Sequence, residues 1–322
     1  GLVQAPLWRV WWAELGDDEH VLALTFHHSV VDEWSLRVFF DELSQVYSAG
    51  GELEGANLPS LVVQYADFSV WERERLDGDR LESQEAYWSE QLESFSSPLD
   101  LPMDGRRSGL GNGRGATHRF ALPEGLVSGL RRLSRQERTS LFSLMLATFH
   151  VWLHRYTGQR DLVVGTPASL REHSDVQGVL GFFLNTLPIR AQLEGEQSFR
   201  ETLRQVSETV LTGLEHIELP FEKIVRLAGR SRDGNQNSLY HVMFVLVEEG
   251  LSSWDLGTAR PQAQAVDTGT AKHDLMLRGL ADDATWSCEM VYSSDLCSAD
   301  TVWRMATQWS ALWGSTVAGP DD

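Results

Sequence analysis

With 322 residues, 42% of them hydrophobic and 23% charged, the chain can hold one large domain or two lobes, and its composition is that of a globular protein rather than a disordered one. A formal net charge of −19 argues against nucleic acid and against anionic membrane surfaces, since both call for a basic face. No apolar run has membrane-spanning length, the first residues are not a signal peptide, and Cys288 and Cys297 are too few for a disulfide framework; reduced core cysteines fit a cytoplasmic setting.

The chain opens on a predicted β-hairpin. Val10-Trp11-Trp12-Ala13-Glu14-Leu15 and residues 21–26 flank the turn-rich Gly16-Asp17-Asp18-Glu19. Residues 21–26 are short, apolar and bounded, which predicts a strand buried on both faces. Trp8, Trp11 and Trp12 are expected in core or inter-lobe packing. Side chains alternate along a strand, so His27 and His28 are expected to point to opposite faces. A helix follows from Ser35, with Leu36, Phe39, Phe40, Leu43 and Val46 at a 3.6-residue period. Asp32 or Ser35 can cap it, and Gly50-Gly51 can stop it.

Residues 62–75 read as a helix carrying Tyr65, Phe68, Trp71 and Arg75, and Leu81, Trp88 and Leu92 mark another. Residues 96–115, with Pro98, Pro102, five glycines and Arg106, Arg107 and Arg114, read as a lobe-to-lobe connection. The expected division is 1–98, a partial first lobe; 99–115, the connection; and 116–322, the second lobe. That lobe opens with a strand at 117–122 and a helix on Leu126, Leu130 and Leu133. Thr139 can cap the next helix, 141–156, which is apolar nearly all round and so central. A buried strand at 161–165 follows, then a helix whose start, Ser198-Phe199-Arg200-Glu201, has capping-box spacing. Strands are predicted at 240–247, 272–277 and 285–292, the last alternating Trp286, Cys288, Met290 and Tyr292 on one face. Val302, Met305, Ala306 and Trp309 mark the last helix, and residues 315–322 read as a frayed terminus or linker. Strands and helices mix without strict alternation, which predicts an α+β fold.

His27 and His28 are the first candidates for chemistry. They cannot both chelate one ion if they diverge, and no H-x-x-x-H or C-x-x-C pattern supplies further ligands, so no metal is expected. Acid–base work fits better, since imidazole titrates near neutrality and the Asp32 carboxylate stands close by in sequence.

His27-His28-Ser29-Val30-Val31-Asp32-Glu33-Trp34-Ser35 resembles the HHxxxDG signature of nonribosomal peptide synthetase condensation domains. Further stretches agree in the family's order. Pro6-Leu7-Trp8-Arg9 resembles the segment just upstream, Tyr65-Ala66-Asp67-Phe68-Ser69-Val70-Trp71 resembles YADxAxW, and Tyr87-Trp88 with Leu92 resembles YWxxxL. The run from Gly181 through Phe183, Asn185 and Thr186 to Arg190 resembles GxFxNTLxxR. His216 with Pro220-Phe221-Glu222 resembles HxxxPFExLV, and Tyr240-His241-Val242-Met243-Phe244 resembles FQVMF. By this resemblance about a quarter of such a domain, with its first two motifs, would precede Gly1, on this chain or on another.

The resemblance implies two chloramphenicol acetyltransferase-like lobes in a V around a tunnel, and amide formation between a donor thioester and an acceptor amine. Both substrates would arrive on phosphopantetheine arms of separate upstream and downstream carrier proteins, with no cofactor bound by the domain itself. An adenylation domain would adjoin it, and the domain would be a monomeric part of a larger multidomain chain. His28 would be the active imidazole; His27 and Asp32 would act structurally, Asp32 by pairing with Arg171; Ser29, Trp34 and Asn185 would line the tunnel. Glu33 stands where the signature has glycine. It reads either as the helix start or as an accessory acid–base group like that of family members that also dehydrate Ser or Thr. Four rival readings fit less well or differ in class. An epimerisation or heterocyclisation domain departs at 216–225 or at the His pair. A non-catalytic docking module of the same fold would recruit a partner enzyme. A free-standing coenzyme A acyltransferase would carry a DFGWG-type motif, which is not seen.

Overall fold

The computed structural model describes residues 5–95, 98–105, 112–195, 197–229, 239–247, 256–257, 259–281 and 286–319. Arg106 and Arg107 of the connection and residue 285 of the third predicted late strand lie outside these. Strands and helices are mixed as expected for α+β. No helix among the described residues is long and apolar enough to cross a membrane.

The chain divides into two compact units, and the division differs from the expected lobes. The first unit is Gly1–Arg75 with Ser169–Leu184 and Leu251–Ala263. The second is Leu76–Ala168 with Asn185–Gly250 and Gln264–Asp322. Residues far apart in sequence can therefore share one core, which no composition boundary reveals.

In the first unit, β1 (Trp8–Glu14) and β2 (His20–Phe26) pair antiparallel, with Trp8 opposite Phe26 and Glu14 opposite His20. The expected burial of β2 on both faces does not hold. Its residues alternate between exposed and half-buried, and β1 is exposed throughout. A two-stranded sheet among the described residues offers too little surface to cover either strand. Trp8, Trp11 and Trp12 are accordingly 53%, 51% and 59% exposed, not packed in a core.

Helix α1 (Glu33–Ser48) begins on Asp32, whose carboxylate accepts from the Ser35 N–H. Gly50 and Gly51, at φ +78° and +88°, end it in the left-handed backbone that glycine adopts without strain. Helix α2 (Tyr65–Arg75) starts three residues later than predicted. Its Phe68 packs with Val176, Val179 and Phe183 in a small core that Val63, Tyr65 and Leu170 border. Removing a ring such as Phe183, which is fully buried, should cost about 3–5 kcal/mol.

Apart from the terminal strand residues Ser169 and Leu184, which fall in the first unit, the second unit holds α3 (Gly78–Gln91), β3 (Gly115–Leu122), α4 (Glu124–Gln136), α5 (Leu141–Thr157) and β4 (Asp161–Ser169). They are followed by β5 (Leu184–Gln192), α6 (Phe199–Glu215), α7 (Phe221–Leu227), β6 (Val242–Val247), β7 (Leu275–Ala281), β8 (Trp286–Ser293) and α8 (Ala299–Ala318). The sheet order is β3-β8-β7-β6-β4-β5; β7 pairs parallel with β6 and antiparallel with β8. Helix α5 packs against α4, α6 and α8, and its Leu144, Met145, Leu146, Phe149 and Leu153 are fully buried, as its all-round apolar pattern predicts. Ser198 and Glu201 form the predicted capping box. Three local expectations are corrected. Ser140, not Thr139, caps α5, because the Ser140 hydroxyl reaches the Ser143 N–H. The strand expected at 272–277 is Leu275–Ala281, in register with Val242–Val247. Helix α8 runs to Ala318, with Trp313 and Thr316 buried, where a frayed terminus was expected from Ser315.

Candidate functional site

The signature does not continue the strand. β2 ends at Phe26, and His27 caps a short 3₁₀ turn, His28–Val30. Strand alternation therefore does not govern the two imidazoles; hydrogen bonds do. His27 Nδ1 accepts the Ser29 N–H at 3.1 Å and lies 2.8 Å from the Ser29 hydroxyl. Neutral His27 thus carries its proton on Nε2. His28 Nδ1 sits 2.8 Å from the Val31 carbonyl oxygen. A carbonyl can only accept, so Nδ1 holds the proton and neutral His28 presents a lone pair at Nε2. The side chain is solvent-exposed, and its ring meets Phe182 edge-on, with centroids 5.1 Å apart and planes at 87°.

Beside this turn lies a buried ionic cluster within the first unit. Arg171 and Asp32 are 2% and 1% exposed in their side chains. Arg171 Nη2 donates to Asp32 Oδ1 at 3.1 Å and to Oδ2 at 3.3 Å, so the pair expected from the sequence is formed. Arg171 Nη1 donates to the Val176 and Val179 carbonyls at 2.6 and 2.8 Å. The guanidinium carbon lies 4.0 Å from the centre of the Phe183 ring. Asp32 also accepts from the Ser35 N–H at 2.7 Å and the Phe183 N–H at 3.0 Å. Burial by itself would raise the Asp32 pKa; the Ser35 hydroxyl and N–H, the Phe183 N–H and the Arg171 charge outweigh it and hold the carboxyl below its usual range. Burial lowers the Arg171 pKa, and Asp32 opposes that.

Ser35 is the member that the sequence does not announce, since there it reads only as a cap. It is fully buried. Its hydroxyl accepts from Arg171 Nη2 at 2.7 Å and from the Gly181 N–H at 3.0 Å. It also lies 2.7 Å from Asp32 Oδ1 and 2.8 Å from the Gly181 carbonyl. A Cβ on Gly181 would overlap the Tyr65 and Phe183 rings, so this close approach needs glycine. Tyr65 donates to the Phe182 carbonyl at 2.9 Å. The signals for Gly181, Phe183 and Tyr65 are present as motif letters, but their meeting is not.

The other predicted residues make mainly structural contacts. Ser29 bonds back to His27. Trp34, 44% exposed, donates from Nε1 to the Gln177 carbonyl at 2.7 Å. Glu33 lies in the first turn of α1 with helical backbone, so this position needs no glycine, and a carboxylate there suits the positive end of the helix dipole. Asn185 belongs to the second unit and spends its amide on structure: Nδ2 donates to the Ile217 and Leu219 carbonyls at 2.6 and 2.7 Å, and Oδ1 accepts from Thr186 and Phe221 N–H groups. Among the described residues, no group of three or more His, Cys, Asp or Glu is placed to hold a metal ion.

The sequence profile of the family described as Condensation domain matches residues 1–322. The chain is 37% identical over 322 residues to phosphinothricin tripeptide synthetase PhsC of Streptomyces viridochromogenes, covering 99% of this chain and 30% of that protein. It is 31% identical over 319 residues to tyrocidine synthase 2 of Brevibacillus parabrevis, covering 98% and 9%. It therefore spans less than a third of the length of either relative. Among solved structures it is similar to the X-domain from teicoplanin biosynthesis, with a TM-score of 0.89, 26% identity, and coverage of 100% of this chain and 74% of that one. With the profile matched end to end and the signature residues folded around a buried Asp–Arg cluster, the chain belongs to the condensation-domain family of nonribosomal peptide synthetases.

Proposed function

We propose that this domain forms an amide bond between a carrier-bound acyl or peptidyl thioester and the amine of a carrier-bound aminoacyl group. The observation that carries the reading is the tautomer of His28. The Val31 carbonyl accepts a hydrogen bond from Nδ1–H, which leaves the lone pair at Nε2 of an exposed residue. The amine nitrogen attacks the thioester carbonyl carbon; the C–N bond forms and the C–S bond then breaks. The ammonium proton of the tetrahedral adduct moves to His28 Nε2 and from there to the departing thiolate, so the imidazole ends neutral. No covalent enzyme intermediate is required. His27, whose Nδ1 is occupied by Ser29, holds the turn. Asp32 orders the backbone around it and does not titrate during turnover.

Homology to multidomain synthetases supports carrier proteins as the partners, with substrates held on phosphopantetheine arms. The test uses the synthetase that contains this chain, with two loaded carrier proteins and intact-protein mass spectrometry. Donor transfer onto the acceptor is expected in wild type, slowed about 10²–10⁴-fold in His28→Ala. His27→Ala should retain more activity than His28→Ala. Absence of transfer in wild type with both carriers bound, or undiminished transfer in His28→Ala, would overturn the proposal.

A further inference from the structure

We infer that Phe182 is a positioning residue for His28, and that it conveys the order of the buried Asp32–Ser35–Arg171 cluster to the imidazole. This rests on the reading of His28 as the proton acceptor.

No member of the ionic cluster is bonded to the His28 ring; the ring bonds to Val31 O and packs against Phe182. Yet the backbone on both sides of Phe182 is held by the cluster. The Gly181 N–H donates to the Ser35 hydroxyl at 3.0 Å, and the Gly181 carbonyl lies 2.8 Å from the same oxygen. The Phe183 N–H donates to Asp32 Oδ2 at 3.0 Å, and the Phe183 ring is sealed under the Arg171 guanidinium. Phe182's own carbonyl accepts the Tyr65 hydroxyl at 2.9 Å. Three consecutive residues are thus fixed by polar contacts, two to buried groups and one to the half-buried Tyr65. The half-buried Phe182 side chain is the part of this run that reaches the active imidazole.

An exposed imidazole held by one hydrogen bond can still rotate about its remaining torsion. A ring at 87° and 5.1 Å restricts that rotation and so aims Nε2. Misplacement of a reacting group by about 1 Å costs on the order of 10²-fold in rate. The alternative is that Phe182 merely fills space, in which case its loss would lower stability and leave the chemistry alone.

The experiment is a double-mutant cycle in the full synthetase. Phe182→Leu should lower kcat about 10–100-fold with KM for the acceptor carrier nearly unchanged. Phe182→Tyr, which keeps a ring, should recover most of that loss. In a His28→Ala background Phe182→Leu should lower the residual rate little further, because the group it aims is gone. A second readout does not depend on turnover. Diethyl pyrocarbonate labelling, followed by fragment mass spectrometry, should show a changed rate at His28 in Phe182→Ala and an unchanged rate at His27. A full additional loss in the His28→Ala background, an unchanged kcat in an active enzyme, or equal labelling of His28 with and without Phe182 would overturn the inference. If wild type catalyses no transfer, the proposed function fails, and the labelling rates alone decide for or against Phe182.

Discussion

The two compact units each contain an arginine–aspartate pair with a buried arginine, and the pairs differ in how far the carboxylate is buried. In the first unit Arg171 and Asp32 are 139 residues apart and almost wholly buried. In the second, Arg190 and Asp161 are 29 residues apart, and the Asp161 side chain is 31% exposed. Arg190 makes the better two-point contact, at 2.7 and 2.8 Å, and donates to the Gln91 and Glu93 carbonyls at the end of α3. Arg171 has the longer contacts to its carboxylate, but it sits in a web with Ser35, Val176 and Val179. The shorter pair contacts thus go with the wetter carboxylate, and the buried Asp32 carboxylate draws on the Ser35 and Phe183 N–H groups as well. Desolvation explains the difference. A buried charge must replace all its water contacts, whereas a partly exposed carboxylate keeps some of them.

Breaking the pairs should separate them. Asp32→Ala, which strands the Arg171 guanidinium in the interior, should cost about 3–5 kcal/mol in denaturant unfolding. Arg190→Leu should cost about 2 kcal/mol, because it removes charge-assisted bonds to two carbonyls and a carboxylate that water can still reach. Equal costs would refute the burial argument. Acid titration sharpens the contrast further. The Asp32 pKa is lowered in the fold, so its stabilisation is present in full above the ordinary carboxylate value of about 3.9 and is lost as pH falls through the folded value. Asp32→Asn should be less stable at neutral pH and show a flatter acid limb in unfolding monitored by fluorescence. The smallest effect is expected one residue on. Glu33→Gly, in the first turn of α1, should cost about 0.5–1 kcal/mol through helix propensity and the dipole. A loss as large as that of Asp32→Ala would place Glu33 in the cluster.

Much of the candidate site is legible as motif order. His28 and Asp32 stand in the signature, the resemblance implies Arg171 as the partner of Asp32, and the Asp32–Arg171 pair is formed. The third partner does not, because a serine at the start of a helix reads as a cap, and only the fold brings the Gly181 backbone against it. The hairpin lies where the sequence predicts it, but its environment differs. An apolar run predicts a strand, but whether its faces are covered depends on what else the sheet contains, and here β1 and β2 pair only with each other among the described residues. The expected divergence of His27 and His28 presumes a strand that in fact ends one residue too early, at Phe26.

Elements whose causes are local can be read from residue order. The central helix α5 follows from apolar side chains on every face, the start of α6 from Ser198 and Glu201, and the end of α1 from Gly50 and Gly51. Residue order also carries the family, through motifs distributed along the chain. Tertiary structure alone decided that Ser169–Leu184 joins the first unit, that Ser35 completes the ionic cluster and that Phe182 faces His28. Each of these depends on which backbone carbonyl, amide or ring lies within a few ångströms, and residue spacing carries no information about contacts closed over more than a hundred residues.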